Sequence, residues 1–338
     1  MTIRQKPRLA DVARAAGVSS ATASRALSQP ELLASATLAR VVASARSLGY
    51  RPDAAARTLA SGRSMTIGAV MPTLHNEIFS RALQSMHTVL AAEGYQLLVA
   101  SHDYNPVAEA EAIRTLLARG VDGFMLVGSE RTPEAEALIR DAHAPVVLTW
   151  RTTPGQLAVT VDNERAGALA AAHLLDLGHR RIGMVTGRTQ FNDRQKARLQ
   201  GARDRLAQAG IALPDWLVSQ QPTTLAGGRS GCAALLELAE PPTAIIGGID
   251  LIAIGCIIEA QARGTSVPGG LSVVGIDDLD MSAHLSPSLT TVHIPTAAIG
   301  AEAAGMLLKA IRGSVRPEPI ELPIELVVRR STGRAVGG

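Results

Sequence analysis

Charged and aromatic side chains that follow apolar runs are the first candidates for chemistry in this sequence, because open α/β sheets bind ligands outside the carboxyl ends of their strands. Asp162 follows Val159–Val161, Asp250 follows Ala244–Gly247, and Asp277 follows Val273–Ile276. Polar stretches also follow Ile182–Val185, over residues 187–198, and Ile67–Met71, over residues 72–79, and the first of these is rich in arginine. Carboxylates accept hydroxyl hydrogens, and a guanidinium grips vicinal hydroxyls or a carboxylate with two parallel bonds. An aromatic ring covers a carbon skeleton. Together these groups suit a small polar molecule. Plainer roles exist for each: acids at strand ends make turns or caps, an arginine on a charged helix is solvated, and a Phe at a helix start is a core residue. A second constellation lies near the N-terminus, where Ser20, Ala21, Ser24 and Arg25 share one face of a short helix. Small residues beside one guanidinium let a helix approach the base edges of a DNA groove.

Both constellations need elements to position them. Leu9, Val12, Ala13 and Ala16 recur at helical spacing, Gly17 supplies a tight turn, and Val18 plugs the angle between two helices. Ser19 is a suitable N-cap for a second helix, Ser20–Leu27, with Ala23 and Leu27 inward. A third helix, about 35–48, carries Leu38, Val41, Val42 and Ala45 on its core face and ends at Gly49. This is a helix-turn-helix. Pro52 and Gly62 bracket a further short helix. Beyond Ser64 the pattern alternates. Apolar strand candidates Ile67–Met71, Leu97–Ala100, Phe124–Val127, Val146–Leu148, Ile182–Val185, Ala244–Gly247 and Val273–Ile276 are separated by helical stretches such as 79–94, 108–119, 165–177 and 199–210. That order predicts parallel sheets covered by helices, and the length suits two lobes.

Charge separates the same two regions. Residues 1–64 carry ten Lys and Arg against three Asp and Glu, whereas the remainder carries 23 against 27. A basic head on a mildly acidic body predicts that the head meets a polyanion and the body does not. The 338 residues, 46% apolar and 19% charged, exclude a disordered or disulfide-scaffold chain. Aromatics make up only 2%, so the cores must be aliphatic. Cys232 and Cys256 sit in apolar stretches and read as small buried hydrophobes in a reducing compartment. No apolar run reaches the ~18 residues of a membrane span, and no apolar stretch follows the charged N-terminus as in a secretory signal, so a cytoplasmic protein with no membrane partner is expected. The histidines show no metal-ligand spacing, Gly227-Gly228 forms no phosphate loop, and no Ser/His/Asp set assembles. No enzyme activity, catalytic residue, metal or cofactor is expected.

The stretches LADVARAAGVSSATASRAL (residues 9–27) and LGYRPDAAARTLASGRS (residues 48–64) strongly resemble the lactose-repressor (LacI) family of bacterial transcription regulators, and the resemblance extends over about residues 8–332. It implies a small all-α helix-turn-helix head plus a two-lobed α/β body of the periplasmic-binding-protein kind. The implied domains are residues 1–52 for DNA binding, 53–65 as hinge helix and linker, and 66–338 for effector binding. Within the body, lobe one is about 66–163 and 292–322, lobe two about 164–291, and 323–332 is a final strand. By the same resemblance Ser20, Ala21 and Arg25 read bases, Ser19, Thr22, Ser28 and Tyr50 meet phosphates, and Leu59 wedges into the minor groove. Arg198 matches the effector-clamping arginine and Asp277 a hydroxyl-accepting aspartate, while Phe79, Asp162 and Asp250 complete the implied cleft. Ile249 departs from the family, which usually has Asn there. Within the family, 72–79 and the stretch after it resemble gluconate-operon repressors. The expectation is a homodimeric repressor of a sugar or sugar-acid utilisation operon, binding double-stranded operator DNA and a small effector. The alternatives are a two-lobed solute-binding receptor and a purine-type regulator that needs a corepressor.

Overall fold

The computed structural model describes residues 7–51, 62–313 and 318–335, with Ser28 described by its backbone alone. The chain forms two compact units, Met1–Ser64 and Met65–Gly338. In the first, α1 (Leu9–Ala16) opens with the Arg8 N–H donating to Asp11 Oδ2 at 2.9 Å. It ends at Gly17, whose left-handed φ of 64° turns the chain while its N–H reaches the carbonyls of Ala13 and Arg14. Then follow α2 (Ser20–Ser28) and α3 (Ser35–Leu48). Val12, Ala13, Ala16, Ala23, Ala26, Val41 and Ala45 are buried between them, with Val18, Leu27, Leu38 and Tyr50 packed around this core. The sequence reading expects Ala23 and Leu27 inside α2. The fully buried pair is Ala23 and Ala26, because two alanines three apart let the neighbouring helices come close, which a leucine would prevent.

The body holds twelve strands among the described residues. They are β1 (Thr66–Met71), β2 (Gln96–Ser101), β3 (Gly123–Val127), β4 (Val146–Trp150), β5 (Leu157–Thr160), β6 (Ile182–Gly187), β7 (Val218–Gln221), β8 (Ala244–Gly247), β9 (Ser272–Asp277), β10 (Thr290–His293), β11 (Ile320–Glu321) and β12 (Glu325–Val327). One six-stranded sheet has the order β11-β5-β4-β3-β1-β2, the other β12-β10-β9-β8-β6-β7. Every pairing is parallel except β10 with β12. The chain leaves the first sheet after β5, returns after β10 through the helix Thr296–Ile311, and contributes β11 to one sheet and β12 to the other. Each sheet is thereby one lobe, and three strands of chain join them. One apolar core, including Phe79, Trp150, Leu174 and Ile276, runs through both lobes, and each lobe has a further cluster of its own. No helix among the described residues is long and apolar enough to cross a membrane.

Two glycines set the placement of a central helix. A Cβ on Gly201, in the helix Asp193–Gln208, would overlap the carbonyl oxygen of Glu164, and one on Gly167, in the helix Asn163–Asp176, would overlap that of Arg198. The two backbones therefore touch at this crossing, and no side chain larger than hydrogen fits between them. Gly201→Ala is expected to lower stability by about 1–3 kcal/mol as the helices separate. Thermal unfolding checks this, and an unchanged midpoint would mean that the crossing can slide without cost.

Candidate functional site

The outward face of α2 presents Ser20, Ala21 and Arg25, all exposed. Ser19 is exposed too, but its hydroxyl accepts the Thr22 amide at 3.1 Å and lies 2.9 Å from the Thr22 hydroxyl, so both side chains already stabilise the helix start. Tyr50 is half-buried against the head core. The side chain of Ser28 and the whole of Leu59 lie outside the described residues.

In the body, Arg198 is 1% exposed. Its Nε donates to Asn163 Oδ1 at 3.0 Å, and its Nη1 donates to the Gly248 carbonyl at 2.8 Å and to Asp277 Oδ1 at 3.1 Å. These acceptors come from the first residue of the helix Asn163–Asp176, the turn after β8 and the last residue of β9. Gln195, one turn earlier, ties the same region together: its Oε1 accepts the Thr186 hydroxyl at 2.6 Å and the Gly187 amide at 3.1 Å, and its Nε2 donates to Gly248 O at 3.1 Å. A Cβ on Gly248 would overlap Gln195 and stand 2.7 Å from the Thr186 hydroxyl, so only glycine fits this turn.

The remaining residues singled out in the sequence occupy different surroundings. Asp162 caps the helix Asn163–Asp176, accepting the Arg165 amide at 2.8 Å, and it is the next residue, Asn163, that meets Arg198. Asp250 is fully buried and accepts from the Leu279 amide at 2.9 Å, from the Ser282 hydroxyl at 2.5 Å and from the Thr291 hydroxyl. It braces the chain after β9, and burial pushes its pKa up. Phe79 is 1% exposed and meets Trp150 edge-on, with ring centroids 5.4 Å apart. Ile249 is buried in the apolar cluster of the second lobe, which accounts for a hydrocarbon at this position.

Two further observations point to a ligand. Asp103, Tyr104, Trp150, Phe191, Asp277 and Asp278 all have left-handed φ, between 48° and 139°, and all lie at strand ends or in the loops just beyond them. Such strain gathers at binding sites, where the surrounding packing holds it in place. Second, Asp277 Oδ2, Trp150 Nε1 and His102 Nδ1 are buried without a hydrogen-bond partner among the described residues. Burial raises the Asp277 carboxyl to about 7, with Arg198 opposing the rise and nearby Asp250 adding to it. Burial, reinforced by Arg194, lowers His102 to about 4. Burial pushes the Tyr104 hydroxyl's pKa up. Ser129, Asp193, Arg194, Tyr104 and Trp150 are the residues that sequence reading passed over. Asn192 was the available signal for two of them, because it caps the helix, accepting the Gln195 amide at 3.4 Å, and so starts the helix at Asp193.

A helix-turn-helix unit and a two-lobed α/β unit with a polar, strained seam between its sheets define a DNA-binding sensor. Residues 8–53 match the bacterial regulatory proteins of the lacI family, and residues 171–332 match a periplasmic binding protein-like domain. The chain is 35% identical over 331 residues to the HTH-type transcriptional regulator GntR of Pseudomonas aeruginosa, covering 97% of this chain and 96% of that one. Among solved structures it is similar to the Lac repressor dimer bound to operator and the anti-inducer ONPF, with TM-score 0.87, 25% identity and coverage of 97% and 100%. It is also similar to a transcriptional regulator CelR–cellobiose complex, with TM-score 0.72, 28% identity and coverage of 96% and 99%. The chain belongs to the LacI family of DNA-binding transcriptional regulators.

The two perturbed groups have opposite pH signatures. The folded pKa of Asp277, about 7, exceeds that of a free carboxyl, so its contribution to stability is full below about pH 4 and is lost as pH rises through 7. His102, lowered to about 4, contributes fully above its ordinary 6.5 and loses that contribution as pH falls toward 4. Asp277→Asn is therefore expected to cost more thermal stability at about pH 5 than at about pH 8, and His102→Gln more at about pH 7 than at about pH 4. Costs independent of pH in calorimetry would remove both assignments.

Proposed function

We propose that the chain is a repressor of a sugar or sugar-acid utilisation operon whose small effector binds between the lobes of the body. The observation that carries this reading is the Asp277 carboxylate: one oxygen is held by a buried Arg198, and the other is buried with no partner among the described residues. A ligand hydroxyl would complete it, and polyols and sugar acids carry such hydroxyls. The solved CelR complex, with cellobiose, supports the same class of ligand.

In this reading residues 1–52 bind operator DNA, 53–65 form the hinge, and 66–338 sense the effector. Ser20, Ala21 and Arg25 face bases, Ser19, Thr22, Ser28 and Tyr50 meet phosphates, and Leu59 wedges the minor groove. Arg198 and Asp277 hold the effector, with Phe79, Asp162 and Asp250 shaping the cleft. Two heads would read two half-sites from a homodimer, as the solved Lac repressor dimer on its operator supports. The apolar residues of the helices Glu77–Ala92 and Pro106–Ala118 are largely buried within their own lobe. Exposed apolar side chains nearby include Met65 and Leu74, Leu98 and Val99 on the edge strand β2, and Val107.

Two measurements test the reading. A thermal-shift screen of sugars, sugar acids and nucleobases should raise the unfolding midpoint for one of the first two classes, because a ligand that binds only the folded chain stabilises it by mass action. Asp277→Asn should remove that shift. It is the cleaner variant, since truncating Arg198 would leave a buried carboxylate unpaired at a cost of roughly 3–5 kcal/mol. A shift from nucleobases alone would favour the purine-type corepressor instead. At the head, Arg25→Ala should lose roughly 1–3 kcal/mol of operator binding and relax specificity at one position in each half-site. Equal losses on operator and random DNA would make Arg25 a phosphate contact.

A further inference from the structure

Ser129 follows β3 in the first lobe, and Asp193 opens the helix Asp193–Gln208 in the second, yet the two are bonded twice. The Ser129 amide donates to Asp193 Oδ2 at 2.6 Å, and its hydroxyl donates to the same oxygen at 2.9 Å. The other oxygen, Oδ1, accepts Arg194 Nη1 at 2.9 Å. The side chains of Arg194 and Asp193 are only 8% and 11% exposed, so water screens this cluster weakly. Burial alone would raise the Asp193 pKa, but Arg194 and the two bonds from Ser129 outweigh it and hold the group below the usual carboxylate range. Gly128 makes the fit possible. Its φ is 77°, and a Cβ there would overlap Arg194 Nη1 and lie 2.8 Å from Asp193 Oδ1. Asp193 therefore spends one oxygen on each lobe, whereas one Asp277 oxygen has no partner among the described residues.

We propose that Asp193 is a positioning residue, a clasp that holds the two lobes together before any effector binds and that fixes Arg194 in the seam. An acid in the first turn of a helix also interacts favourably with the helix dipole. That simpler role does not call for an amide and a hydroxyl from the opposite lobe. The clasp biases the balance between open and closed lobes, and an effector that prefers closed lobes then binds a population already shifted toward it. This consequence for signalling rests on reading the seam as the effector site; the clasp itself does not, so its test uses the ligand-free chain.

Hydrogen exchange at the Ser129 amide and small-angle scattering are measured on the full chain without effector, for the wild type, Asp193→Ala, Asp193→Asn and, by scattering alone, Ser129→Pro. In Asp193→Ala the Ser129 amide should exchange roughly ten-fold faster or more, while amides of the head keep their rates. The radius of gyration should also increase. Asp193→Asn, which keeps an acceptor for Ser129, should fall between Asp193→Ala and the wild type. A folded Asp193→Ala with unchanged Ser129 exchange overturns the proposal, as does equal acceleration across the whole body, which would mean a role in the helix alone. Should Asp193→Ala not fold, Ser129→Pro decides, because it removes both the amide and the hydroxyl donor and leaves the Asp193–Arg194 pair intact. A larger radius supports the clasp, and an unchanged one overturns it. A failed effector screen leaves these outcomes untouched.

Discussion

A guanidinium taken almost wholly out of water must find acceptors, and the second lobe is arranged so that Arg198 finds three. One comes from the start of a helix, one from the turn after β8, and one from the last residue of β9. Buried charge is costly unless its geometry and remaining donors are satisfied. The local sequence meets that demand with residues of minimal size. Gly167 and Gly201 let the two helices touch, which brings Arg198 over Asn163, and Gly248 leaves its carbonyl open to both Arg198 and Gln195. Enlarging any of the three would move the arginine or remove an acceptor. Asp277 adopts a φ of 139°, and that strained backbone is held by the contacts around it.

Much of the fold was legible because its signals are local. Gly17 as a left-handed C-cap, Ser19 as an N-cap and the alternation of apolar runs follow from backbone chemistry that acts within a few residues. The helix Asp250–Ala262 lacked such a signal: it is apolar on most sides because sheet and neighbouring helices cover it, so it shows little helical period. Edge strand β7, Val-Ser-Gln-Gln, is polar for the opposite reason. Reading the helix at 193–208 as starting near Leu199 overlooked the cap at Asn192. Asp193 and Arg194 open that helix instead of lying in the loop before it.

The site was legible in part. Arg198 and Asp277 are joined, although nothing in their spacing of 79 residues says so, and family resemblance rather than chemistry put them together on paper. Asp162 and Asp250 are spent on a helix cap and on bracing the chain after β9, uses that a strand-end rule cannot tell from ligand contact. Tyr104, Ser129 and Trp150 have no sequence signal at all. Their place in the seam comes from how the strands of two sheets meet, which is a property of the assembled lobes.

Asp193 and Asp277 are both buried carboxylates beside an arginine, and their surroundings drive them apart. Asp193 has both oxygens filled, by Arg194 and by Ser129 of the other lobe, and is held in its charged form. Asp277 has one filled oxygen, a second acid nearby in Asp250, and a pKa of about 7. A carboxylate whose bonds are complete has nothing left to offer a ligand and serves as structure. One that is desolvated and half-satisfied gains most from a new donor, because completing its bonds also offsets the cost of keeping it charged. Pairs of titratable groups pushed in opposite directions often mark a division of roles. In the reading proposed above the division falls between closing the lobes and binding what they enclose, and Arg194, bonded to one acid and within electrostatic reach of the other, links the two.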